Sequence, residues 1–275
     1  MRRLGAELRR LREATGRNQT DVGEAIGRRH TTMVNWERGK TKISKSDLVC
    51  LLAELRAPVE LREDLEKLRL EVNQATGQWS MYGLPACLKP LVSFEEDATS
   101  VVTFEPVVIP GLLQTEDYAR TTHVVAPYVA SADVVEKWVA ARMQRQQRLV
   151  GPNPLKLHAI ITEAVLRLEV GGPRVHKAQL ERLLTDAAAD NITIQVLPAT
   201  MAAHVGIATN GTVIHFADPR VDRPLGYYDG PLGGNLVSHE GAVSDMINII
   251  NDLAQAAPNT DDSVAMIAAI LKEIS

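Results

Sequence analysis

Cysteine is scarce in this sequence. Only two of the 275 residues, Cys50 and Cys87, are cysteines, and neither stands in a pair-forming motif such as CxxC. A disulfide framework or a cysteine-rich zinc site is therefore not expected. A reducing cytoplasm is the compartment that fits this composition best.

Long apolar runs are also missing. No stretch approaches the roughly 18 uninterrupted apolar residues that a membrane helix needs, and "MRRLGAELRRLREATG" lacks the apolar core of a signal peptide. We therefore expect a cytosolic protein without membrane contact. The hydrophobic content of 45% and the charged content of 23% are ordinary for a folded domain. The length predicts two domains, although one large domain would also accommodate it.

The net charge of −4 hides an uneven distribution. Residues 1–46 carry twelve Lys and Arg and five Asp and Glu, a net charge of +7, so that the remainder carries −11. Concentrated basic side chains neutralise phosphates and release counterions. The N-terminal region is either built for a polyanion or is simply a solvated basic surface.

The first residues have the pattern of short helices joined by tight turns. Leu4, Leu8 and Leu11 recur at spacings of four and three, which places them on one face of a first helix. Asn18 is a candidate N-cap for a second helix, which Gly27 ends.

Two more helices complete this region. A third is predicted over about 30–37, and a fourth begins at Ser44, where "SKSD" offers a capping side chain. We expect an all-α domain over 1–57, followed by a linker helix over 58–80. The apolar residues of the linker helix are Leu61, Leu65, Leu68 and Val72. They pack either on their own chain or on a partner helix.

The segment from Gln19 to Gly39, "QTDVGEAIGRRHTTMVNWERG", has the layout of a helix-turn-helix. Such a motif needs a first helix that crosses the phosphate backbone, a tight turn, and a second helix whose early residues enter the major groove. Gly23 lets the helices approach closely, and Gly27 makes the turn. The apolar positions that fix the angle between the helices are Val22, Ile26, Met33 and Trp36.

This segment resembles the lambda-repressor/Cro-like, XRE-type helix-turn-helix family over about residues 4–57. The family spacing is kept by Gln19, Gly27, Glu37 and Gly39, with Gly23 in place of the common alanine. The resemblance implies two sets of DNA contacts. The residues that face base edges are Arg29, His30, Thr31 and Asn35. The residues that face phosphates are Gln19, Thr32, Lys40 and Lys42.

The chemistry of these side chains fits the implied roles. Arginine can grip guanine O6 and N7 with two hydrogen bonds, asparagine can pair with adenine, and a threonine methyl can contact thymine. Lysines in a loop act as point charges for backbone oxygens. Arg29 departs from the family, which generally has a capping Ser or Thr there. We expect Arg29 to reach a base or a phosphate instead, and the helix to begin one residue later.

Beyond residue 80 the pattern changes to β-branched runs separated by Pro and Gly. Candidate strands cover 101–108, 155–162, 191–198, 211–218 and 225–230. Candidate helices cover about 115–123, 131–149, 173–189, 240–255 and 261–274. This succession predicts a larger α+β domain with a mixed sheet over 81–275, behind the all-α N-terminal domain.

Several stretches of this region resemble the C-terminal domain of actinobacterial WhiJ-type regulators, over about residues 92–273. They are "FEPVVIPGLLQTEDYAR" (104–120), "ARMQRQQRL" (141–149), "TEAVLRLEVGGPRVHKAQLERLL" (162–184) and "NITIQVLP" (191–198). In that family the domain follows an XRE-type helix-turn-helix. Its gene commonly neighbours one for a small partner protein, an arrangement compared to toxin–antitoxin pairs.

Few residues of this region suggest contacts with a ligand or partner. The candidates are Gln114, Tyr118, His204, Tyr227 and Asp229. The family usually shows Tyr-x-Glu where Tyr227 and Asp229 stand, so the reach of the acid is one methylene shorter. His204 lies in "ATMAAHVGIATNG", which is either a functional loop or a plain connection.

A catalytic or metal site has little support. The available acid/base or metal-binding groups are His158, His204, His215, His239, Glu163, Asp218 and Asp229. Their spacings match no known ligand pattern, and no GxSxG, HExxH or P-loop motif occurs. We therefore expect no enzyme activity, no catalytic residue, no metal and no cofactor.

The leading hypothesis is a sequence-specific transcription regulator that binds double-stranded DNA with helix 30–37. One small motif makes few base contacts, so we expect a homodimer whose interface lies in 58–77 or in the C-terminal domain. A small-molecule ligand or a small protein partner would act on the C-terminal domain, and the protein would work on the nucleoid. The alternatives are an antitoxin-like binder of a small partner and a ligand-responsive enzyme fused to a DNA reader.

Overall fold

The computed structural model describes residues 2–84, 88–125, 131–201, 210–217, 223–230 and 233–274. The chain divides into two compact units, and the boundary follows Met81. The helix predicted as a linker over 58–80 is therefore part of the first unit.

The first unit consists of five helices in its described residues. They are α1 (Arg2–Ala14), α2 (Gln19–Ala25), α3 (His30–Glu37), α4 (Lys45–Glu54) and α5 (Val59–Ser80). Both predicted caps are confirmed, since Asn18 accepts a hydrogen bond from the backbone of Asp21 at 2.9 Å and Ser44 accepts one from Asp47 at 3.0 Å. The turn between α2 and α3 uses Gly27 at a φ of 69°, which glycine adopts without steric cost.

A single apolar cluster holds these helices together. Its buried members are Leu4, Leu8, Leu11, Val22, Met33, Trp36, Ile43, Leu48, Leu51, Leu52, Leu55, Ala57 and Leu65. The last of these, Leu65, lies on α5 and is 2% exposed. At this position α5 packs on its own chain, which is one of the two arrangements that the sequence left open.

The second unit combines helices and strands. Its helices are α6 (Leu88–Asp97), α7 (Glu116–Val124), α8 (Ala132–Gln146), α9 (Glu163–Arg167), α10 (Pro173–Asp186), α11 (Glu240–Ala256) and α12 (Thr260–Ile274). Its strands are β1 (Ser100–Glu105), β2 (Lys156–Thr162), β3 (Ile192–Leu197), β4 (Gly211–His215), β5 (Leu225–Gly230) and β6 (Gly233–Val237). Thr115 caps α7 by accepting a hydrogen bond from the backbone N–H of Tyr118 at 3.3 Å.

The six strands form one sheet in the order β3-β2-β1-β4-β5-β6. β1 pairs in parallel with β2, and β2 pairs in parallel with β3. The pairs β1–β4, β4–β5 and β5–β6 are antiparallel. The sheet is therefore mixed, and the predicted α+β fold behind an all-α N-terminal domain is confirmed.

Helices cover both faces of the sheet. On one face, Leu253 of α11 belongs to the same apolar cluster as Phe104 of β1. On the other face, α10 and α12 contribute Leu183 and Ile267 to a second cluster. Successive side chains of a strand point to opposite faces. Glu105, which follows Phe104, therefore points toward the face that α10 and α12 cover.

Three elements lie outside the sequence prediction. β6 begins with two glycines, which disfavour strands, and it forms because the edge of β5 supplies hydrogen-bonding partners. α9 has five residues and is too short to show a helical period. α6 contains Pro90 in its first turn, where proline is tolerated. In addition, the strand predicted over 101–108 ends at Glu105, because Pro106 has no backbone N–H.

Candidate functional site

The second helix of the motif, α3, has one face in the core of the first unit. Met33 and Trp36 are 1% and 5% exposed, which confirms their predicted core positions. α1 approaches α3 so closely that a Cβ built on Gly5 lies 2.5 Å from the carbonyl oxygen of Trp36. These contacts fix the orientation of α3 from its inner face.

The residues predicted to contact bases lie at the start of α3 and along one of its sides. Arg29 is the N-cap residue of α3, in an extended conformation and without a capping hydrogen bond. The helix begins directly after it at His30, the start of the predicted range 30–37, so the missing cap does not move the start to a later residue. Arg29, His30 and Thr31 are exposed, whereas Thr32 and Asn35 are half-buried. Thr31 and Asn35 are four positions apart and share one side of the helix. The four residues predicted to contact bases thus lie close together.

A buried ion pair ties α1 to the end of α3. The Arg12 guanidinium donates to both carboxylate oxygens of Glu37, from Nε to Oε1 at 2.6 Å and from Nη2 to Oε2 at 2.9 Å. The hydrogen bond to Glu37 raises the pKa of Arg12 above its ordinary value. Removing one member of a buried pair typically costs about 3–5 kcal/mol. This pair could not be predicted from the sequence, because 25 residues separate its members.

Gln19 joins the same pair from the first residue of α2. Its Nε2 donates to Oε2 of Glu37 at 2.7 Å. A side-chain amide nitrogen carries two protons, so one proton remains for another acceptor such as a phosphate oxygen. The phosphate contact of Gln19 stays a prediction, and the structure adds a second role in holding Glu37.

The loop after α3 carries two more basic side chains. Lys40 and Lys42 are exposed and form no ion pair with another described residue. Arg28, by contrast, is bound to Asp47 at 2.7 Å. The backbone N–H of Lys40 donates to the carbonyl oxygen of Asn35 at 2.8 Å, which anchors the loop to α3. The two lysines are therefore accessible to a polyanion, whereas α4 holds Arg28.

The second unit contains a cavity of about 70 Å³ between α6, α8 and one face of the sheet. Its apolar wall includes Leu88, Leu91, Val101, Leu112 and Leu157. Its polar wall includes Glu95, Thr103, Glu105, Arg142, Arg145, Thr212, Tyr227 and Asp229. Two of the residues predicted to contact a ligand or partner, Tyr227 and Asp229, thus lie in one cavity wall.

The other predicted contact residues of this unit are placed differently. Gln114 is buried behind the cavity wall, where its Oε1 accepts from Nη1 of Arg142 at 2.5 Å. Tyr118 lies in the apolar core and does not line the cavity; its hydroxyl accepts from the backbone N–H of Ile109 at 3.2 Å. His204 lies outside the described residues.

Two arginines of α8 face the cavity in different states. Arg145 donates from Nε and Nη2 to the two oxygens of Glu95, each at 2.7 Å. Arg142 forms no ion pair with a described carboxylate and is held by Gln114 and, at 3.5 Å, by Thr122. Burial, together with the charge of Arg145, lowers the pKa of Arg142 to about 10. One arginine is therefore fully paired, and the other is not.

Besides Glu95, two further carboxyl groups share this cavity with Arg142. Asp229 is exposed at the mouth of the cavity, and its Oδ1 accepts from the Tyr227 hydroxyl at 2.7 Å. Glu105 is half-buried and accepts no hydrogen bond from a described residue. Burial and then the charge of Asp229 raise the pKa of Glu105 to about 8, against the opposing effect of Arg142. A Cβ on Gly234 would lie 1.7 Å from the Tyr227 hydroxyl oxygen, so a larger residue there would displace the tyrosine ring.

The histidines considered for catalysis or metal binding are dispersed. His158 is hydrogen-bonded through Nε2 to Gln195 at 2.7 Å, and His239 is exposed ahead of α11. Burial lowers the pKa of His215. Asp218 lies outside the described residues. In the part of the chain that the structure describes, no three His, Cys, Asp or Glu side chains are grouped to hold a metal ion.

Comparison with protein families assigns a match to each unit. Residues 3–65 match a family described as a helix-turn-helix domain. Residues 88–269, more than half of the chain, match a domain of unknown function, DUF5753. The chain belongs to the DUF5753 family. No curated protein and no solved structure gave a match.

The helix-turn-helix domain marks this DUF5753 chain as a DNA-binding regulator. The exposed residues of α3 and the lysines of the following loop form the candidate nucleic-acid interface. Among the described residues, no helix combines the length and the apolar character needed to cross a membrane.

Proposed function

We propose that this DUF5753 protein is a sequence-specific transcription regulator of the XRE type that inserts α3 into the major groove of double-stranded DNA. One observation carries the proposal: Met33 and Trp36 bury one face of α3, while Arg29, His30 and Thr31 stay exposed at its start. A recognition helix needs this division, because its N-terminal residues contact base edges while the rest of the domain holds it.

The exposed side chains have two roles in this proposal. Base edges are contacted by Arg29, His30, Thr31 and Asn35, with arginine suited to guanine and asparagine to adenine. Phosphates are contacted by Gln19, Thr32, Lys40 and Lys42, and these contacts fix the register of the domain on the duplex. Direct contacts of the first set supply specificity, and the second set supplies most of the salt-dependent affinity.

The decisive experiment is selection of bound duplexes from a random pool by the full chain, followed by affinity measurements on the enriched sequence. We expect one enriched motif, bound about 10³-fold or more tightly than unrelated DNA at the same salt concentration. Binding that depends on salt but is equal for all sequences contradicts the proposal.

We also propose that the regulator acts as a homodimer on the nucleoid. A single helix-turn-helix covers one half-site, and two copies related by a two-fold axis cover two half-sites about one helical turn apart. Either α5 or the DUF5753 domain supplies the interface.

A second proposal concerns the DUF5753 domain, to which we assign control of DNA binding and no catalytic step. A mixed polar and apolar cavity with an incompletely paired arginine supports a sensor of small molecules. The resemblance to WhiJ-type regulators supports an antitoxin-like protein that binds a small protein partner. Co-purification with the product of a neighbouring gene tests this alternative, and the absence of a complex at micromolar concentrations of both proteins counts against it.

A further inference from the structure

The cavity of the second unit has an unbalanced set of charges. Arg145 and Glu95 form a bidentate pair and cancel each other. Arg142, Glu105 and Asp229 also line the cavity, and none of them forms an ion pair with a described residue. The three groups together carry one cation against two carboxyl groups. A single positive charge is missing if both carboxyl groups are ionised.

The position of the missing charge follows from the surroundings of each carboxyl group. Asp229 already accepts a hydrogen bond from the Tyr227 hydroxyl and is exposed at the mouth of the cavity. Glu105 lies deeper and has no hydrogen-bond donor among the described residues. Burial and then the charge of Asp229 raise the pKa of Glu105 to about 8, and Arg142 offsets this effect only in part. A cation entering from the mouth meets Asp229 first and Glu105 next.

The cavity also restricts the size and character of its ligand. Its volume of about 70 Å³ is well below the roughly 300–1,000 Å³ of sites that enclose drug-sized molecules. Leu88, Leu91 and Val101 provide an apolar wall in the same cavity as the carboxyl groups. A ligand that fills this space is therefore short and has an apolar carbon beside its charged atom.

We propose that this cavity binds the ammonium end of a small aliphatic amine. The ammonium group has three N–H donors, which suit the oxygens of Glu105 and Asp229. The adjoining carbons pack on the leucine side chains, and Gln114 fixes the place of Arg142 in the cavity wall through the 2.5 Å hydrogen bond. This inference specifies the ligand class of the sensor domain and rests on the ligand-sensing part of the proposed function.

Propylamine and propan-1-ol are matched probes for the charge requirement, since both have four non-hydrogen atoms. Probes of this size bind weakly, so saturation-transfer NMR on the full chain should extend to about 10 mM probe at pH 8. We expect saturable binding of propylamine and at least 10-fold weaker binding of propan-1-ol. Equal binding of the two probes overturns the inference, as does the absence of saturable propylamine binding, which a cavity filled only by water would give.

Variants locate the site. Glu105→Gln keeps the shape of the side chain, removes its charge, and should weaken propylamine binding at least 10-fold. Asp229→Asn should weaken it to a smaller extent, because this carboxyl group is exposed. Asp245→Asn is the matched control, since Asp245 lines a separate cavity of about 210 Å³ against α11. Circular dichroism establishes that each variant is folded.

The variants that lose propylamine binding show whether the amine occupies this cavity. Loss of binding in the Asp245 variant with retention in the Glu105 variant overturns the inference. Binding of each sample to the selected DNA duplex is measured in parallel without amine. A chain that binds DNA specifically but ignores propylamine overturns this inference alone, whereas failure of DNA binding overturns the proposed function.

Discussion

Arg29 occupies a helix N-cap without capping it, so its contribution to stability can be separated from its proposed contact with DNA. A serine at this position accepts a hydrogen bond from the first turn and stabilises a helix by about 0.5–1 kcal/mol. Arg29→Ser should raise the free energy of unfolding in urea by that amount. The same substitution should cost about 1–3 kcal/mol of discrimination at one base pair of the selected duplex.

Arg29→Ala is the matched variant for this test. It should lose the same discrimination without the gain in stability, because alanine cannot cap. If both variants keep the base preference of the original chain, Arg29 does not read a base.

Lys42 belongs to the set of side chains proposed to contact phosphates. Lys42→Ala should weaken binding to all duplexes by a similar factor and reduce the slope of log affinity against log salt by about 1. Filter binding or fluorescence anisotropy between roughly 50 and 200 mM salt measures this slope. Lys177→Ala removes an equally exposed lysine from the second unit and should leave the slope unchanged. A selective loss for one sequence would instead make Lys42 a base-reading residue.

Glu105 makes stability depend on pH in a direction unusual for a carboxyl group. Its pKa of about 8 in the folded chain lies above the ordinary value of 4.5, so the folded state holds a proton that the unfolded state releases. The stability present below pH 4.5 is therefore lost progressively as pH rises through about 8. Glu105→Gln should raise the free energy of unfolding by about 1–2 kcal/mol at pH 9 and have little effect near pH 5.

The control for this pH dependence is Glu181→Gln, which changes an exposed carboxyl group on α10. Its effect in thermal unfolding should be small and similar at the two pH values. A constant difference between Glu105→Gln and the original chain from pH 5 to pH 9 contradicts the raised pKa.

At the scale of elements, local chemistry allowed most of the fold to be predicted. Asn18, Ser44 and Thr115 cap the helices that follow them, because a capping hydrogen bond joins residues only three positions apart. β6 could not be predicted in this way. It has little strand character of its own and depends on pairing with β5.

The two candidate sites also differ in how far they could be predicted from the sequence, because the residues of one are close in sequence and those of the other are not. The outer residues of α3 are close in sequence, so one helical segment suffices to group Thr31 with Asn35. The cavity groups come from three elements, with Glu105 on β1, Arg142 on α8 and Asp229 on β5. Only the strand order brings them together, and a sequence without its topology does not contain that information. The local sequence offers one sign that Glu105 is a candidate site residue: it is an acidic residue at the end of a buried strand, directly before a proline.

The contact between α1 and α3 predicts a strong effect from a small substitution. A Cβ on Gly5 would lie 2.5 and 2.6 Å from the carbonyl oxygens of Trp36 and Glu37. Gly5→Ala should therefore lower the free energy of unfolding of the first unit by about 1–3 kcal/mol, despite the higher helix propensity of alanine. It should also weaken specific DNA binding, because α3 must shift. Urea unfolding and anisotropy measure the two effects.

Gly241→Ala is the control for this substitution. Gly241 lies in the first turn of α11, where an added Cβ would meet, among the described residues, the His239 ring at 3.5 Å, an ordinary contact. Alanine should be neutral there or stabilise the helix by up to about 1 kcal/mol. Equal effects of the two substitutions would mean that α1 and α3 tolerate a wider separation.

At the scale of the whole molecule, the N-terminal region and the rest of the chain have opposite net charges, which affects DNA binding. Residues 1–46 carry a net charge of +7, and the rest of the chain carries −11. The acidic remainder repels a duplex at long range, so non-specific affinity should be low for a DNA-binding protein. The specific contacts proposed for α3 should then contribute a larger share of the total binding energy.

The proposed homodimer leads to a prediction about the bound DNA. Two copies of α3 related by a two-fold axis should protect an inverted repeat with half-site centres about 10–10.5 base pairs apart, or a multiple of this spacing. Footprinting on a selected duplex and light scattering of the free and bound chain measure the spacing and the stoichiometry. Inserting about five base pairs between the half-sites should abolish tight binding, because the half-sites then face opposite sides of the duplex. Protection of a single half-site by one chain excludes the dimer.

The central position of β1 in the sheet also affects how the chain folds during its synthesis on the ribosome. β1 ends at Glu105, whereas its neighbours β2 and β4 begin at Lys156 and Gly211. At roughly 5–20 residues per second, a ribosome completes β1 seconds before either neighbour exists. The helix-turn-helix domain can fold in that interval, while both edges of β1 stay unpaired and open to aggregation. The helix-turn-helix domain is thus finished first, and the nascent DUF5753 domain is the part that we expect to need protection by chaperones.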